Sequence, residues 1–349
     1  MIQTVRNAWK IPELKRKMLF VIFALLIFRL GSAIPVPFIN GTMLQSQLAA
    51  ASGTIFGLIN VMSGDAFARA TVFALSIQPY INSSIIIQLL TVAIPALERM
   101  AKEGGEEGRK KIAAITRYAT VAIALIQAFG YYTLIKSYGM ITVPAGSGVW
   151  GAIVIIASFT AGSAFLMWLG EQITEFGVGN GISIILFAGI VSRGPALVQV
   201  LWYGGKAALG KTVPAGYGAI PVWAIPLIII GMLAIVMLIV FVSDAERRIP
   251  VQYAKRVVGR KMYGGQSSHI PMKVNMSGVL PIIFAQSIAS IPATIGMFVP
   301  SAQTEGSGWN TFLKVFDSTS VLYCIVYFLL IVAFNRLNIH ERSFPNRYR

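Results

Sequence analysis

The sequence predicts an all-α polytopic membrane protein, and three observations support this prediction. Of the 349 residues, 56% are hydrophobic and only 12% are charged, whereas about a quarter of a soluble domain is charged. The mean hydropathy is +0.71. Apolar stretches long enough for a helix of about 20 residues to cross a bilayer recur along the chain. Since none of them alternates like a barrel strand, we expect a helical bundle.

Eight stretches could cross the membrane. In chain order they are about 18–34, 76–94, 115–135, 150–169, 182–200, 221–243, 277–299 and 319–334. The first follows a basic segment and leads into IPVPF, not into a small-residue cleavage site, so we expect a retained span. The fifth is the weakest, because the triplet Arg-Gly-Pro at 193–195 interrupts it.

The net charge of +16 invites a nucleic-acid interpretation, but its distribution favours topology. If the N-terminus is cytosolic, 22 of the 29 Lys and Arg residues lie in the segments 1–17, 95–117, 244–275 and 336–349, all on the cytosolic side. This is the positive-inside bias of membrane proteins. Part of the charge therefore sets orientation, and the rest is available to an acidic partner.

Motifs for catalysis, metal binding or cofactor binding are missing from the sequence. His269 and His340 are far apart, and HExxH, CxxC and GxxxxGK[ST] do not occur. Glu171 and Glu175 share a helix face and could hold a cation, but a solvated helix end is the favoured interpretation. The segment GVGNG at 177–181 lacks a lysine, so a tight turn is favoured over a phosphate site. The single cysteine, Cys324, is interpreted as a small apolar side chain. We therefore predict no enzyme, no metal and no cofactor.

Polar, uncharged side chains recur in three of the predicted spans, although ionisable ones are rare there. An ion-coupled transporter normally carries ionisable residues facing a cavity, which disfavours that class. Interhelical hydrogen bonding is the common role of such polar side chains. A polar seam shared by the second, third and seventh spans is the alternative. The residues are Asn82, Ser83, Ser84, Gln88, Thr91, Gln127, Gln286 and Ser287.

Six long blocks of sequence resemble the SecY family, the channel-forming subunits of bacterial protein translocation complexes. They are RLGSAIPVPFIN (29–40), FALSIQPYINSSIIIQLL (73–90), KEGGEEGRKKIAAITRY (102–118), FLMWLGEQITEFGVGNGISII (165–185), RRIPVQYAKRVVGR (247–260) and HIPMKVNMSGVLPIIFA (269–285). The blocks follow the family's order and spacing through most of residues 1–334.

The resemblance implies a SecY-type bundle of two pseudo-symmetric inverted halves around an hourglass channel. The first half, with spans one to five, would be residues 1–205. An incomplete second half, with spans six to eight, would be residues 206–334. Family members have ten spans, and only about eight are expected here. After FLLIVAF (328–334) the usual continuation is replaced by NRLNIHERSFPNRYR, an atypical basic cytosolic tail at 335–349.

The resemblance also assigns a plug and a pore ring. The plug would be residues 53–67; from the residues alone, an interfacial amphipathic segment fits equally well. The ring would use three pairs spaced i, i+4, so that each pair shares a helix face. From spacing alone these pairs would be core packing; the resemblance instead makes them an aliphatic constriction that resists wetting. The ring residues are Ile81, Ile85, Leu186, Ile190, Val279 and Ile283.

A lateral gate and a docking surface follow from the same resemblance. The gate would use Gln88, Thr91, Gln127 and Gln286. The cytosolic loop 244–276 would dock SecA or the ribosome, including ribosomal RNA, through Arg247, Arg248, Lys255, Arg256, Arg260 and Lys261. A topology signal alone is the alternative for this charge. SecE and SecG are expected as further subunits, and signal sequences, nascent chains and membrane lipids as contacts.

The predicted function is that of a central, passive, protein-conducting subunit. It would pass unfolded preproteins across the bacterial cytoplasmic membrane and release membrane proteins sideways into it. Two alternatives stay open at this point. One is a small-solute secondary transporter, also a bundle with inverted repeats. The other is a non-conducting, truncated relative that only binds partners.

Overall fold

The computed structural model describes residues 9–50, 60–142, 148–214, 218–251, 256–258, 261–263, 268–273, 280–289, 291–292 and 320–343. The helices in these ranges are α1 (Pro12–Gly31), α2 (Gly41–Ala50), α3 (Gln78–Ala93), α4 (Pro95–Lys102), α5 (Gly105–Ser137), α6 (Gly148–Phe176), α7 (Gly181–Val191), α8 (Gly194–Ala208), α9 (Ala224–Asp244), α10 (Leu280–Ala289) and α11 (Val321–Ser343). The strands are β1 (Glu246–Val251), β2 (Arg256–Val258), β3 (Lys261–Tyr263) and β4 (Ser268–Lys273).

Membrane-length helices confirm the predicted class. In the described part of the chain, four helices are long and apolar enough to cross a bilayer: Gly105–Ser137, Gly148–Phe176, Gly181–Ala208 and Ala224–Asp244. The third joins α7 and α8, so the interrupted fifth stretch is still one span. A fifth span results if the pair Gln78–Thr91 and Pro95–Ala101, bent by 103°, is counted as one. The chain is thus a multi-pass membrane protein.

Several helices are longer than the apolar stretches that predicted them. Helix α5 begins at Gly105, not near residue 115, and α6 continues to Phe176, beyond the predicted end near 169. Helix α11 runs on through Ser343, past residue 334, where the unusual tail was expected to begin. Helix α1 instead ends at Gly31, with Ser32 as its cap, before the predicted end near 34. Hydropathy locates the apolar part of a helix, and the polar ends of the helix extend beyond that part.

The chain divides into two compact units. The first comprises residues 1–195 with 287–326, and the second comprises 196–286 with 327–349. The boundary at Pro195 falls inside the broken fifth span. The two inverted halves expected from the resemblance, 1–205 and 206–334, remain a proposal.

The core of the first unit joins α5 and α6 to the irregular connection that precedes α3. Tyr131 is fully buried, and its ring lies 4.5 Å from that of Phe67 and 5.0 Å from that of Phe159. Its hydroxyl donates a hydrogen bond to the Phe67 carbonyl oxygen. A cluster of buried apolar residues, including Val36, Leu44 and Ile155, surrounds this aromatic group. The connection before α3 is thereby fixed to two long helices.

The loop that follows α9 contains all the described strands, so none of them falls within a predicted span. Strands β1 and β4 pair antiparallel, with Arg247 opposite Met272 and Arg248 opposite Pro271. Strands β2 and β3, which lie between them in sequence, pair antiparallel with Val258 opposite Lys261. In its described residues, the predicted docking segment therefore consists mainly of paired strands.

Candidate functional site

Two predicted ring residues, Ile81 and Ile85, lie on α3. Their side chains are 8% and 6% exposed. Pro79 stands in the first turn of α3, where its missing N–H removes no intrahelical hydrogen bond. Pro79 therefore marks the start of α3, directly after the irregular connection.

Helix α6 is the shared support for the two ring-bearing helices of the first unit. A Cβ added to Gly170 would lie 3.4 Å from Ile77 Cδ1, at the N-cap of α3. It would also lie 3.5 Å from Ile182 Cγ1 and 3.6 Å from Ile185 Cδ1, both on α7. Both helices therefore pack against the same short stretch of α6, and this packing fixes their ring residues within one unit.

The remaining ring residues have different surroundings. On α7, Leu186 is half-buried and Ile190 is 51% exposed. Ile283 belongs to α10, whose described bounds are Leu280–Ala289, but its side chain is not described, and Val279 lies outside the described residues. The structure thus brings Ile81, Ile85, Leu186 and Ile190 into one unit, and the full ring stays a prediction.

The turn between α6 and α7 is built around three consecutive residues. Gly179 adopts a φ of +78°, which favours glycine. The Asn180 side chain caps α7 by accepting hydrogen bonds from the N–H groups of Ile182 and Ser183. A Cβ on Gly181 would lie 2.0 Å from the Gly170 carbonyl oxygen, so only glycine fits. This agrees with a tight turn rather than a phosphate cradle.

The predicted gate residues occupy three helices. Gln88 is exposed on α3, and Gln127 on α5 and Gln286 on α10 are half-buried. The Thr91 hydroxyl donates a hydrogen bond of 2.6 Å to the Gln88 carbonyl oxygen of its own helix. This bond is intrahelical, not interhelical. Ser83, in contrast, donates 2.8 Å to the Thr116 carbonyl oxygen and joins α3 to α5. At Ser83 the structure supports the interhelical hydrogen-bond interpretation; the gate itself stays a prediction.

Two ion pairs inside the first unit were not found by sequence reasoning. Arg117 Nε lies 2.9 Å from Glu171 Oε1, between α5 and α6. Arg193 Nη2 lies 3.2 Å from Asp65 Oδ1. Glu171 is thus paired with an arginine, and Glu175 is exposed. The usable signal was the presence of charged residues within or beside apolar stretches, where an uncompensated charge is costly.

The predicted docking residues divide between the two strand pairs. Arg247 and Arg248 are exposed on β1, Arg256 lies on β2 and Lys261 on β3, whereas Lys255 and Arg260 lie outside the described residues. Because side chains alternate along a strand, Arg247 and Arg248 point to opposite faces. The face of Arg248 holds a cavity of about 310 Å³ lined by Glu246, Arg248, His269 and Pro271. The opposite face carries Arg247, Ile249 and Met272.

The plug prediction falls partly outside the described residues, which begin again at residue 60. Within residues 60–67, only 60–62 are helical and the remainder forms turns. Asn60 organises these turns: its carbonyl oxygen accepts from the Asp65 N–H at 3.0 Å, and its side-chain oxygen accepts from the Ala68 N–H at 2.9 Å. The end of the predicted plug is therefore a set of turns held together by hydrogen bonds to Asn60.

Comparison with known proteins identifies the family of the chain. A sequence model of the SecY family matches residues 71–345. The protein translocase subunit SecY of Streptomyces coelicolor is 41% identical over 345 residues, covering 96% of this chain and 75% of that protein.

Solved structures share the fold. The structure titled "The structure of a protein conducting channel" matches with a TM-score of 0.54 and 17% identity, covering 93% of this chain and 70% of the other. Sec61 in the canine ribosome-channel complex from the endoplasmic reticulum matches with a TM-score of 0.51 and 18% identity, covering 82% of this chain and 59% of the other. With its sequence blocks, its membrane-length helices and these matches, the chain belongs to the SecY family.

Proposed function

We propose that this chain is the central pore-forming subunit of a protein translocase, a passive channel for unfolded polypeptides. The single observation that carries the proposal is the alignment with a protein translocase subunit SecY, which covers 96% of this chain at 41% identity. The same channel would release membrane-protein spans sideways into the bilayer. It would carry out no catalysis of its own, and the energy for transport would come from a partner.

The aliphatic pairs on α3 and α7 support the proposed mechanism. Ile81, Ile85, Leu186 and Ile190 would form part of the constriction, and the family resemblance assigns Val279 and Ile283 to it as well. Aliphatic side chains offer a passing polypeptide neither charge nor hydrogen bonds, so they do not hold it. A narrow apolar neck also loses water readily, which limits ion leakage at rest.

The mechanism is tested by shortening the ring side chains. Ile85→Gly, alone and combined with Ile81→Gly, should raise the resting ion conductance of the protein reconstituted in planar bilayers. Ile87→Gly is the matched control, because Ile85 and Ile87 are both 6% exposed on α3. At about 100° per residue the two side chains point to nearly opposite sides of the helix. Equal conductance in all variants that fold would count against a ring at Ile85.

The proposed partners follow from the family and from the charge of the cytosolic loop. SecE and SecG would join the membrane-embedded complex, and SecA or the ribosome would bind the paired strands of loop 244–276. The solved Sec61 relative is part of a ribosome-channel complex, which supports a ribosome as one partner. The exposed arginines of β1 suit either an acidic protein surface or ribosomal RNA.

The proposed location is the bacterial cytoplasmic membrane, with the N-terminus in the cytosol. The excess of Lys and Arg in the segments 1–17, 95–117, 244–275 and 336–349 supports this orientation. A protease that digests loop 244–276 only from the cytosolic side of sealed vesicles would agree with it. Cleavage from the opposite side would reverse the assignment.

A further inference from the structure

An arginine interrupts the fifth span, and the structure shows what it contacts. Arg193 lies between α7 and α8, within the apolar span Gly181–Ala208. A charge within an apolar span is costly unless it is paired or faces a cavity. The partner of Arg193 is Asp65, at 3.2 Å.

Asp65 belongs to the end of the predicted plug and is held in an unusual backbone conformation. Its φ is +71°, a region that few residues other than glycine, asparagine and aspartate adopt. The same Oδ1 atom that meets Arg193 also accepts a hydrogen bond from the Asn60 side-chain amide at 2.9 Å. One carboxylate oxygen thus joins the turns around Asn60 to the break in the fifth span, between α7 and α8.

The backbone of this segment also lies directly on the end of α7. A Cβ on Gly189 would lie 2.5 Å from the Met62 carbonyl oxygen. A Cβ on Gly64, whose φ is +64°, would lie 2.6 Å from Ser192 Oγ and 2.8 Å from the Gly189 carbonyl oxygen. Two glycines therefore allow a close approach that larger residues would prevent, and the ion pair lies beside this contact.

We propose that Asn60, Asp65 and Arg193 form a clasp that holds residues 60–65 on the end of α7 and thereby favours the closed state of the channel. Arg193 acts as a positioning residue. The inference rests on the proposed channel function, in which the end of the plug must keep its place at rest. The side chains of Arg193 and Asp65 are 35% and 25% exposed, so the ion pair remains accessible to water and can open.

The clasp is tested first by hydrogen exchange in the full chain, measured on peptides that cover residues 60–70. Arg193→Gln and Asp65→Asn should each speed exchange of the Asp65 and Ala68 amides about three- to fivefold, the effect expected of a partly exposed pair. Asparagine tolerates the backbone conformation at residue 65. The double variant should exchange no faster than either single variant, and Arg193→Lys should restore most of the protection.

Arg69→Gln is the matched control, because Arg69 is an exposed arginine in the same connection. It should leave exchange at residues 60–68 unchanged. If Arg193→Gln leaves exchange unchanged as well, or if the effects of Arg193→Gln and Asp65→Asn simply add, the clasp does not exist. In that case the ring test with Ile85→Gly still decides the channel proposal independently.

The resting ion conductance then tests the consequence for the closed state. Arg193→Gln and Asp65→Asn should raise it, and Arg69→Gln should not. If exchange rises in the first two variants while conductance stays at the level of the unmodified chain, and Ile85→Gly does raise it, the clasp does not control the closed state. If Ile85→Gly also leaves conductance unchanged, the ring at Ile85 is contradicted, and so is the role of the clasp in the closed state.

Discussion

At the scale of single residues, several polar side chains inside the first unit pair with groups on a neighbouring helix. Arg117 meets Glu171 at 2.9 Å, and the Ser83 hydroxyl reaches a carbonyl oxygen of α5. Hydrogen bonds between membrane helices contribute about 0.6 kcal/mol on average. Such contacts fix the relative register of α3, α5 and α6, while each single contact is weak enough to be broken when a helix moves.

Arg247 and Arg248 allow a prediction about docking that separates two neighbouring residues. Arg248 shares its face of the strand pair with Glu246 and with Lys273, which lies opposite Glu246, so this face combines charges of both signs. Arg247 shares its face with Ile249 and Met272, which are exposed. Arginine beside exposed apolar groups is typical of binding surfaces. We therefore expect Arg247→Glu to weaken binding of SecA or ribosomes more than Arg248→Glu, by about threefold or more.

Binding of the purified chain to each partner at low and at 0.5 M salt would measure this difference, and high salt should reduce it because exposed charges are screened. Arg256→Glu gives a further charge reversal in the neighbouring strand pair. If the three reversals leave binding unchanged and salt has no effect, the charge of the loop serves membrane topology alone.

At the scale of elements, the close contact between α6 and α7 depends on one glycine. An alanine at Gly181 would place its Cβ 2.0 Å from the Gly170 carbonyl oxygen, so the helices would have to separate. Overpacking of this kind typically costs about 1–3 kcal/mol. Gly181→Ala should lower the thermal unfolding midpoint of the purified chain in detergent. Gly148→Ala, at the start of α6 with open space around it, is the control and should leave the midpoint unchanged.

The sequence predicted the elements better than their contacts. Apolar stretches located α5, α6, α9 and the joined span α7–α8, because hydropathy alone determines which segments leave water. Hydropathy placed several helix ends incorrectly, because polar turns such as residues 105–111 continue a helix without contributing apolar side chains. The GVGNG turn was predictable from glycine and asparagine chemistry.

The ion pairs could not be predicted, because each joins residues far apart in sequence. Nothing local to Asp65 indicates Arg193, and nothing local to Arg117 indicates Glu171; only the packed helices bring them together. The strand pairs of loop 244–276 were also missed, since the basic residues there obscure any alternation of polar and apolar side chains. The ring and gate residues were assigned from the family resemblance. Burial alone does not distinguish them from residues of the hydrophobic core.

At the scale of the whole molecule, a lateral gate requires α3 and α10 to meet at rest and part when a client inserts. Gln88→Cys and Gln286→Cys, in a chain with Cys324→Ser, should form a crosslink at rest. Cys324 must be replaced because it is exposed. The locked channel should retain membrane-protein clients instead of releasing them into lipid.

The control pair for the gate is Ile87→Cys with Gln286→Cys. Ile87 is buried on α3, while Gln88 beside it is exposed. The control pair should therefore not crosslink. A folded complex in which Gln88→Cys never crosslinks to Gln286→Cys, or a locked channel that still delivers spans to lipid, would place the gate elsewhere.

The most direct test of a protein-conducting channel is to ask what the ring touches during transport. A photoreactive amino acid at position 85, in membranes where a client is arrested midway, should crosslink to the client. The same group at position 87, equally buried on the same helix, should not. Crosslinking at 85 alone is the predicted result. Equal crosslinking at both positions, or none at 85 while the client spans the membrane, would contradict the assignment of Ile85 to the path of the polypeptide.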